Sequence, residues 1–404
     1  MATFFLVLIY LAFISLGLPD SLLGAAWPVM QKDLKAPMEM AGFLFMSIAA
    51  GTIVSSLASG TVLKRFGTGK VTLVSCIMTA TALLGMAFAP SLLWLWILAI
   101  PLGLGGGAVD AGLNHYVAAH YKAHHMSWLH CFWGVGAMLG PLIMAPYISE
   151  ETLWRQGYFI VACVQFVLVV ILFLTLPLWE RAGANRAKAP LIEAPLIETE
   201  GVHTSHPLQI KGGRLALASF LLYCGVEAMI GLWGSSFVVY VKEVPAAVAA
   251  QWISFYYAGI TVGRFITGFV TFTIKNQSLI RLGQWIALFG ACLLILPLPP
   301  FFSLAGIIIT GFGLAPIYPC MLHETPRRFG RENAPSMIGY QMAFAYTGST
   351  CLPPLFGLLA SQTSIAIFPW AIVLSAAGML FFTEKLNALL KGKHALLEKN
   401  SRHL

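Results

Sequence analysis

Three carboxylates lie where the surrounding residues demand hydrocarbon. Asp20 sits in the apolar run 4–30, Asp110 follows the glycine-rich stretch Gly103-Leu104-Gly105-Gly106-Gly107, and Glu227 falls within 215–241. A charge at the centre of a membrane helix costs about 2.5–3.5 kcal/mol on insertion scales, so such residues are rare and tend to mark ion or solute pathways. Removal from water favours a neutral carboxyl. An acid so placed can take up and release a proton as its surroundings alternate between dry and wet. Asp110 and Asn114 stand one helical turn apart, share a face and can line the same cavity. Each acid also has a plainer reading, as a partner of helix backbone or as glue between helices.

Other polar and aromatic residues qualify by type. His115, His120, His124, His125 and His130 cluster between the fourth and fifth apolar runs. His120 and His124 have the spacing of metal ligands, but a solvated helix end is the ordinary place for them, and no metal site is expected. His130 alone lies within an apolar run. Trp133, Tyr223, Trp233, Tyr256, Tyr257 and Tyr346 can offer ring faces to a solute or simply pack. Gln341, an amide in the eleventh run, needs hydrogen-bond partners if buried, from a ligand or from the protein.

The elements that carry these residues follow from composition. The chain has 404 residues, of which 58% are hydrophobic and 10% charged. With a mean hydropathy of +0.80, an all-α integral membrane protein is expected. Apolar runs of roughly 20–28 residues are long enough to cross the bilayer core. They are continuous, without the alternation of barrel strands, and number about twelve. The first lacks a basic leader and a small-residue cleavage site, so it reads as helix 1 rather than a signal peptide.

The polar interval 179–213, with its near-repeat Ala189-Pro190-Leu191-Ile192-Glu193 and Ala194-Pro195-Leu196-Ile197-Glu198, reads as a linker. The expected organisation is a six-helix bundle at 1–178, the linker at 179–213, a second bundle at 214–386 and a tail at 387–404. The net charge of +8 concentrates in alternate loops, for example Lys64, Arg65 and Lys70, then Arg327, Arg328 and Arg331. That asymmetry is the positive-inside pattern. It places both termini in the cytoplasm of a multi-pass cell-membrane protein, and no nucleic-acid partner is expected.

Gly103–Ala108 formally fits a dinucleotide-binding pattern, yet no strand precedes it; close helix packing explains the glycines better. No nucleophile–base arrangement or phosphate loop appears, so neither an enzyme nor an ATP-driven pump is expected, and no cofactor. The halves correspond weakly. Gly103-Leu104-Gly105 matches Gly311-Phe312-Gly313, and Gly136-Ala137-Met138-Leu139-Gly140-Pro141 matches the stretch from Gly348 to Pro354. Such repeats imply two bundles about a pseudo-twofold axis, with the solute site between them.

Twelve helices in two halves joined by a linker resemble the major facilitator superfamily. Gly60-Thr61-Val62-Leu63-Lys64-Arg65-Phe66-Gly67-Thr68-Gly69-Lys70 is similar to that family's loop signature, with Lys64 at its acidic position. Gly263-Arg264-Phe265-Ile266-Thr267-Gly268 partly matches the second-half counterpart, and Arg264 is expected as a structural cation near the cytoplasmic end of helix 8.

Within the superfamily, four segments resemble the fucose permease group of proton-coupled sugar symporters. They are Leu18-Pro19-Asp20-Ser21, Asp110-Ala111-Gly112-Leu113-Asn114, Ser127–Ala137 and Tyr223-Cys224-Gly225-Val226-Glu227. His130 and Trp133 stand where that group's fucose transporter has sugar-binding amides, a departure that bears on which solute is carried. The resemblance implies symport of a small polar solute, such as a sugar, with protons by alternating access, in a protein functional as a monomer. It implies Asp110 as proton carrier, Asp20 as proton relay or solute acceptor, and Asn114, His130, Trp133, Glu227 and Gln341 as solute contacts. A proton-driven exporter of amphipathic compounds and a transport-inactive membrane sensor are the alternatives.

Overall fold

In a computed structural model of the chain, residues 2–121, 123–149, 153–186, 206–330 and 332–401 are described, and the described residues are almost wholly helical. The first half comprises α1 (Ala2–Asp20), α2 (Leu22–Asp33), α3 (Met40–Phe66), α4 (Thr68–Ala87), α5 (Leu92–His120), α6 (Ala123–Met144) and α7 (Trp154–Arg186). The second comprises α8 (Gly213–Lys242), α9 (Ala246–Val270), α10 (Asn276–Ile295), α11 (Pro300–Leu314), α12 (Ile317–Phe329), α13 (Ala334–Gln362) and α14 (Phe368–Ser401). Each pair α1–α2 and α11–α12 forms one interrupted span. Among the described residues, 11 spans are long and apolar enough to cross a membrane. The remaining helix, α13, has 29 residues and the length to cross, but it is diluted by Gln341, Thr347, Ser349 and Thr350.

The two halves pack by the same plan. In the first, α1 lies on α6, α3 on α5, and α4 on α5 and α7. In the second, α8 lies on α13, α9 on α11, and α10 on α11 and α14. Each contact recurs six spans later, which is the pseudo-twofold relation. The repeated glycines make it possible. A side chain at Gly103 would strike the carbonyl of Ile48 on α3, and one at Gly105 that of Ser75 on α4. Gly311 and Gly313 meet Tyr256 on α9 and Ala287 on α10 in the same way. Gly136 abuts Ile14, and Gly348 abuts Leu221. Thr52 and Ser56 donate to the carbonyls of Gly103 and Gly107 at 3.2 Å each, so the close approach also supplies hydrogen bonds. Close packing of small residues takes the place of the hydrophobic drive that lipid abolishes.

Helix boundaries differ from expectation at four places. The first span, expected to be continuous, is interrupted at Ser21. Pro19 removes the N–H that would bond the carbonyl of Ser15. The side chain of Gln165 on α7 donates to that carbonyl instead, at 2.6 Å, and accepts from Thr79 at 3.0 Å. The tenth span is split in the same manner ahead of Pro316. The sixth helix runs past residue 178 to Arg186, and the last continues beyond 386 to Ser401. Alanine, leucine and charged residues of good helix propensity carry both onward. The near-repeat at 189–198 lies outside the described residues.

The bundles meet through α6 with α9, α3 with α13, and α2 with α8. Toward the end remote from the linker, Ser235 donates to the carbonyl of Ala25 at 3.3 Å, Tyr240 to that of Pro28 at 3.0 Å, and Ser254 to that of Met138 at 2.6 Å. Gly24 lets α2 lie directly on the backbone of Gly231.

Because Gln165 is 1% exposed and serves two helices, Gln165→Leu is expected to cost about 1–3 kcal/mol by leaving buried groups unpaired. The melting temperature of the purified protein in detergent measures it, with Gln165→Glu as a size-matched comparison.

Candidate functional site

Asp20 ends α1 at the helix break, and although it lies deep in the span it is exposed to interior space. Trp133 on α6 donates to it through Nε1 at 2.8 Å. A cavity of ≈ 50 Å³ inside the first bundle is lined by Asp20 with Ser15, Thr52, Thr79 and Gly106. By volume it admits a few water molecules, at ~10–15 Å³ of such space for each.

Asp110 and Asn114 share a face of α5 as their spacing implies, and there Asp110 accepts from Asn114 Nδ2 at 2.8 Å. Asn114 Oδ1 is buried without a partner. Neither Asp20 nor Asp110 has a cation among its described partners; both hydrogen-bond donors are neutral.

The third acid is placed differently. Glu227 on α8 accepts a short hydrogen bond from Tyr223, one turn earlier on the same helix, and pairs with Arg264 of α9 at 3.3 Å. The pair is largely withdrawn from solvent, with side-chain exposures of 13% for Arg264 and 17% for Glu227. Tyr256 donates to the backbone carbonyl of Glu227 at 3.3 Å.

Arg264, expected as a structural cation near a helix end, lies toward the C-terminal end of α9 and is held there by Glu227 of α8. Its long side chain turns inward, where α9 crosses α6. There the Trp133 ring lies 5.6 Å from the guanidinium carbon, within range of a cation–π contact. The edge of Trp133 also meets Tyr257, with centroids 6.2 Å apart. A chain of contacts thus runs from Asp20 through Trp133 to Arg264 and Glu227, from one bundle to the other.

His130 packs edge-on against Phe13, with centroids 6.0 Å apart, and makes no hydrogen bond among the described residues. Gln341 is not joined to this group. It is 1% exposed, and its Oε1 accepts from Thr325 at 2.9 Å within the second bundle. Trp233, fully buried, donates to the carbonyl of Pro353 at 2.8 Å and packs rather than presenting a face. The side chains of His115, His120 and His124 lie outside the described residues. What reasoning from sequence did not supply was the partner of Arg264, Glu227 on the neighbouring helix. The signal of Arg264 itself was available, as a single cation inside the span 246–270, level with three acids.

A membrane-spanning pair of pseudo-symmetric bundles enclosing polar groups is the architecture of a transporter, not of an enzyme. Residues 9–339 match the model of the Major Facilitator Superfamily, and the chain belongs to that family. Over 240 residues it is 23% identical to the glucose/mannose transporter GlcP of Bacillus subtilis (strain 168), a match spanning 56% of this chain and 56% of that protein. The fold resembles the partially occluded inward open xylose transporter XylE from E. coli with a TM-score of 0.71 and 13% identity, over 94% of this chain and 96% of that one. It resembles the E. coli fucose:proton symporter FucP with a TM-score of 0.60 and 12% identity, over 94% and 98%. At these identities the likeness is one of fold.

Removing one member of a buried ion pair costs roughly 3–5 kcal/mol because the other charge is stranded, whereas replacing both is often near neutral. Arg264→Met is therefore expected to lower the melting temperature sharply, and Arg264→Met with Glu227→Gln to restore most of it. The two melting curves, recorded in the same detergent, check the difference.

Proposed function

We propose that the protein is a secondary active transporter that moves a small polar solute, a sugar or sugar-like compound, in symport with protons by alternating access. The observation that carries this reading is the state of the two acids of the first bundle. Among the described residues, Asp20 and Asp110 receive hydrogen bonds only from the neutral Trp133 and Asn114, while the nearby cation is engaged by Glu227. A carboxylate without a cation is costly in this setting and is relieved by a proton.

Asp110 is the proton carrier in this scheme, and Asp20, at the break in the first span, passes protons or accepts the solute. Asn114, His130 and Trp133 meet the solute from the first bundle, and Glu227 with Arg264 from the second. Neutral acids let the bundles rock with the solute enclosed, and ionised acids hold the water-open state. The cross-bundle hydrogen bonds at Ala25, Pro28 and Met138 support a closed end remote from the linker. With both termini in the cytoplasm of a cell-membrane protein, that closure corresponds to an inward-facing arrangement.

Proteoliposomes with an imposed inward proton gradient provide the test, using radiolabelled sugars and sugar derivatives. Accumulation is expected to follow the gradient and collapse with a protonophore. Asp110→Asn is expected to lose gradient-driven accumulation while still exchanging solute for solute. Transport indifferent to the gradient, or full coupling in Asp110→Asn, would count against the assignment.

A further inference from the structure

Arginine carries five N–H donors, and the arginines of this chain use them very differently. Arg281 forks Glu384 through Nε and Nη2 at 2.7 and 2.6 Å. Arg155 gives Nη1 to Asp33 at 2.5 Å, and Nε and Nη2 to the carbonyl of Ala89 at 3.2 and 2.9 Å. Arg264 uses Nη2 alone, on Tyr223 and on both oxygens of Glu227, at 3.3–3.4 Å. Among the described residues nothing accepts from its Nε or Nη1. Trp133 covers a face of the guanidinium, so the edges are what remain for a ligand. A planar guanidinium edge in a partly dry site matches the oxygens of a carboxylate or phosphate.

A second, independent feature points to the other half of such a ligand. Asn114 gives its Nδ2 to Asp110, leaving Oδ1 as a buried acceptor that no donor meets. Asn114 lies on α5 of the first bundle and Arg264 on α9 of the second, the two halves between which a transported solute binds. A hydroxyl group supplies the missing donor, and an oxyanion supplies the missing acceptors.

We infer that the solute is a hydroxylated organic anion, with its oxyanion on Nε and Nη1 of Arg264 and a hydroxyl on Asn114. This deepens the transport reading above and rests on it for the solute's passage, though not for its binding.

Titration calorimetry on the purified full chain tests it with four probes: D-glucuronate, its methyl ester, D-glucose 6-phosphate and D-glucose. At least one of the two anions is expected to bind roughly tenfold or more tightly than D-glucose, a step of about 1.4 kcal/mol. Which anion does so distinguishes a carboxylate from a phosphate. If the carboxylate is the ligand, the methyl ester loses the preference. If it is the phosphate, D-glucose already supplies the uncharged comparison. Arg264→Gln is expected to erase the preference for the anion, and Arg264→Lys, which keeps the charge without the planar edge, to retain part of it.

The comparison of anion with neutral sugar is made on the unaltered protein, so a variant that fails to fold does not shield the inference. Equal affinity for anions and D-glucose, or no binding of any probe, overturns it. Proton-driven uptake of D-glucose with no affinity for either anion overturns this inference and leaves the symport reading standing. Tight anion binding with gradient-independent flux does the reverse.

Discussion

The interior of this transporter is organised around one ion pair. A guanidinium and a carboxylate each lose water on entering a membrane span, and they are tolerable there chiefly because they enter together. Arg264 and Glu227 satisfy each other inside the second bundle, and Tyr223 adds a neutral donor to the same carboxylate. The first bundle reaches the pair through the Trp133 ring, whose Nε1 is committed to Asp20. Motion that parts α6 from α9 must therefore separate an aromatic face from a cation, and the state of Asp20 bears on how firmly that face is held. The pair also divides the acids by role. Glu227 is neutralised by the protein itself, whereas among the described residues Asp20 and Asp110 have only neutral donors.

The frame that holds this arrangement is built by removing side chains and by breaking helices. Glycines at equivalent places in the two halves bring backbones into contact, with Gly103 and Gly105 repeated as Gly311 and Gly313. Helices so closely packed are held together within each bundle. The interruption of the first span after Pro19 puts Asp20 at a helix end, beside a small polar cavity. The carbonyl freed by the proline is bonded by Gln165 rather than left bare. Irregular backbone at membrane depth survives only where the protein itself supplies such partners.

Much of this was legible beforehand. That Asp110 and Asn114 share a helix face followed from their spacing; that they hydrogen-bond each other there is a finding of the structure. The glycine repeats were visible as short matches and turned out to occupy equivalent contacts. Two residues resisted. Gln341 looked like a ligand because a buried amide needs partners, yet Thr325 donates to its Oε1 locally. Arg264 was legible as a structural cation toward the end of its helix, but its partner on α8 was not. Its position along α9 leaves open where a side chain of that reach will turn.

Sequence alone determined that the chain is a helical membrane protein in two related halves, because hydrophobic runs and the spacing of small residues are properties of consecutive positions. It also singled out the acids, since a charge inside an apolar run is conspicuous without any structure. Tertiary structure decided which of those acids has a cation and which has not, because the partner comes from another helix. Glu227 and Arg264 are 37 positions apart, and Trp133 and Asp20 are 113 apart. Only packing of the bundles brings the four together, and it does so in a setting where each charge must find a partner or a proton.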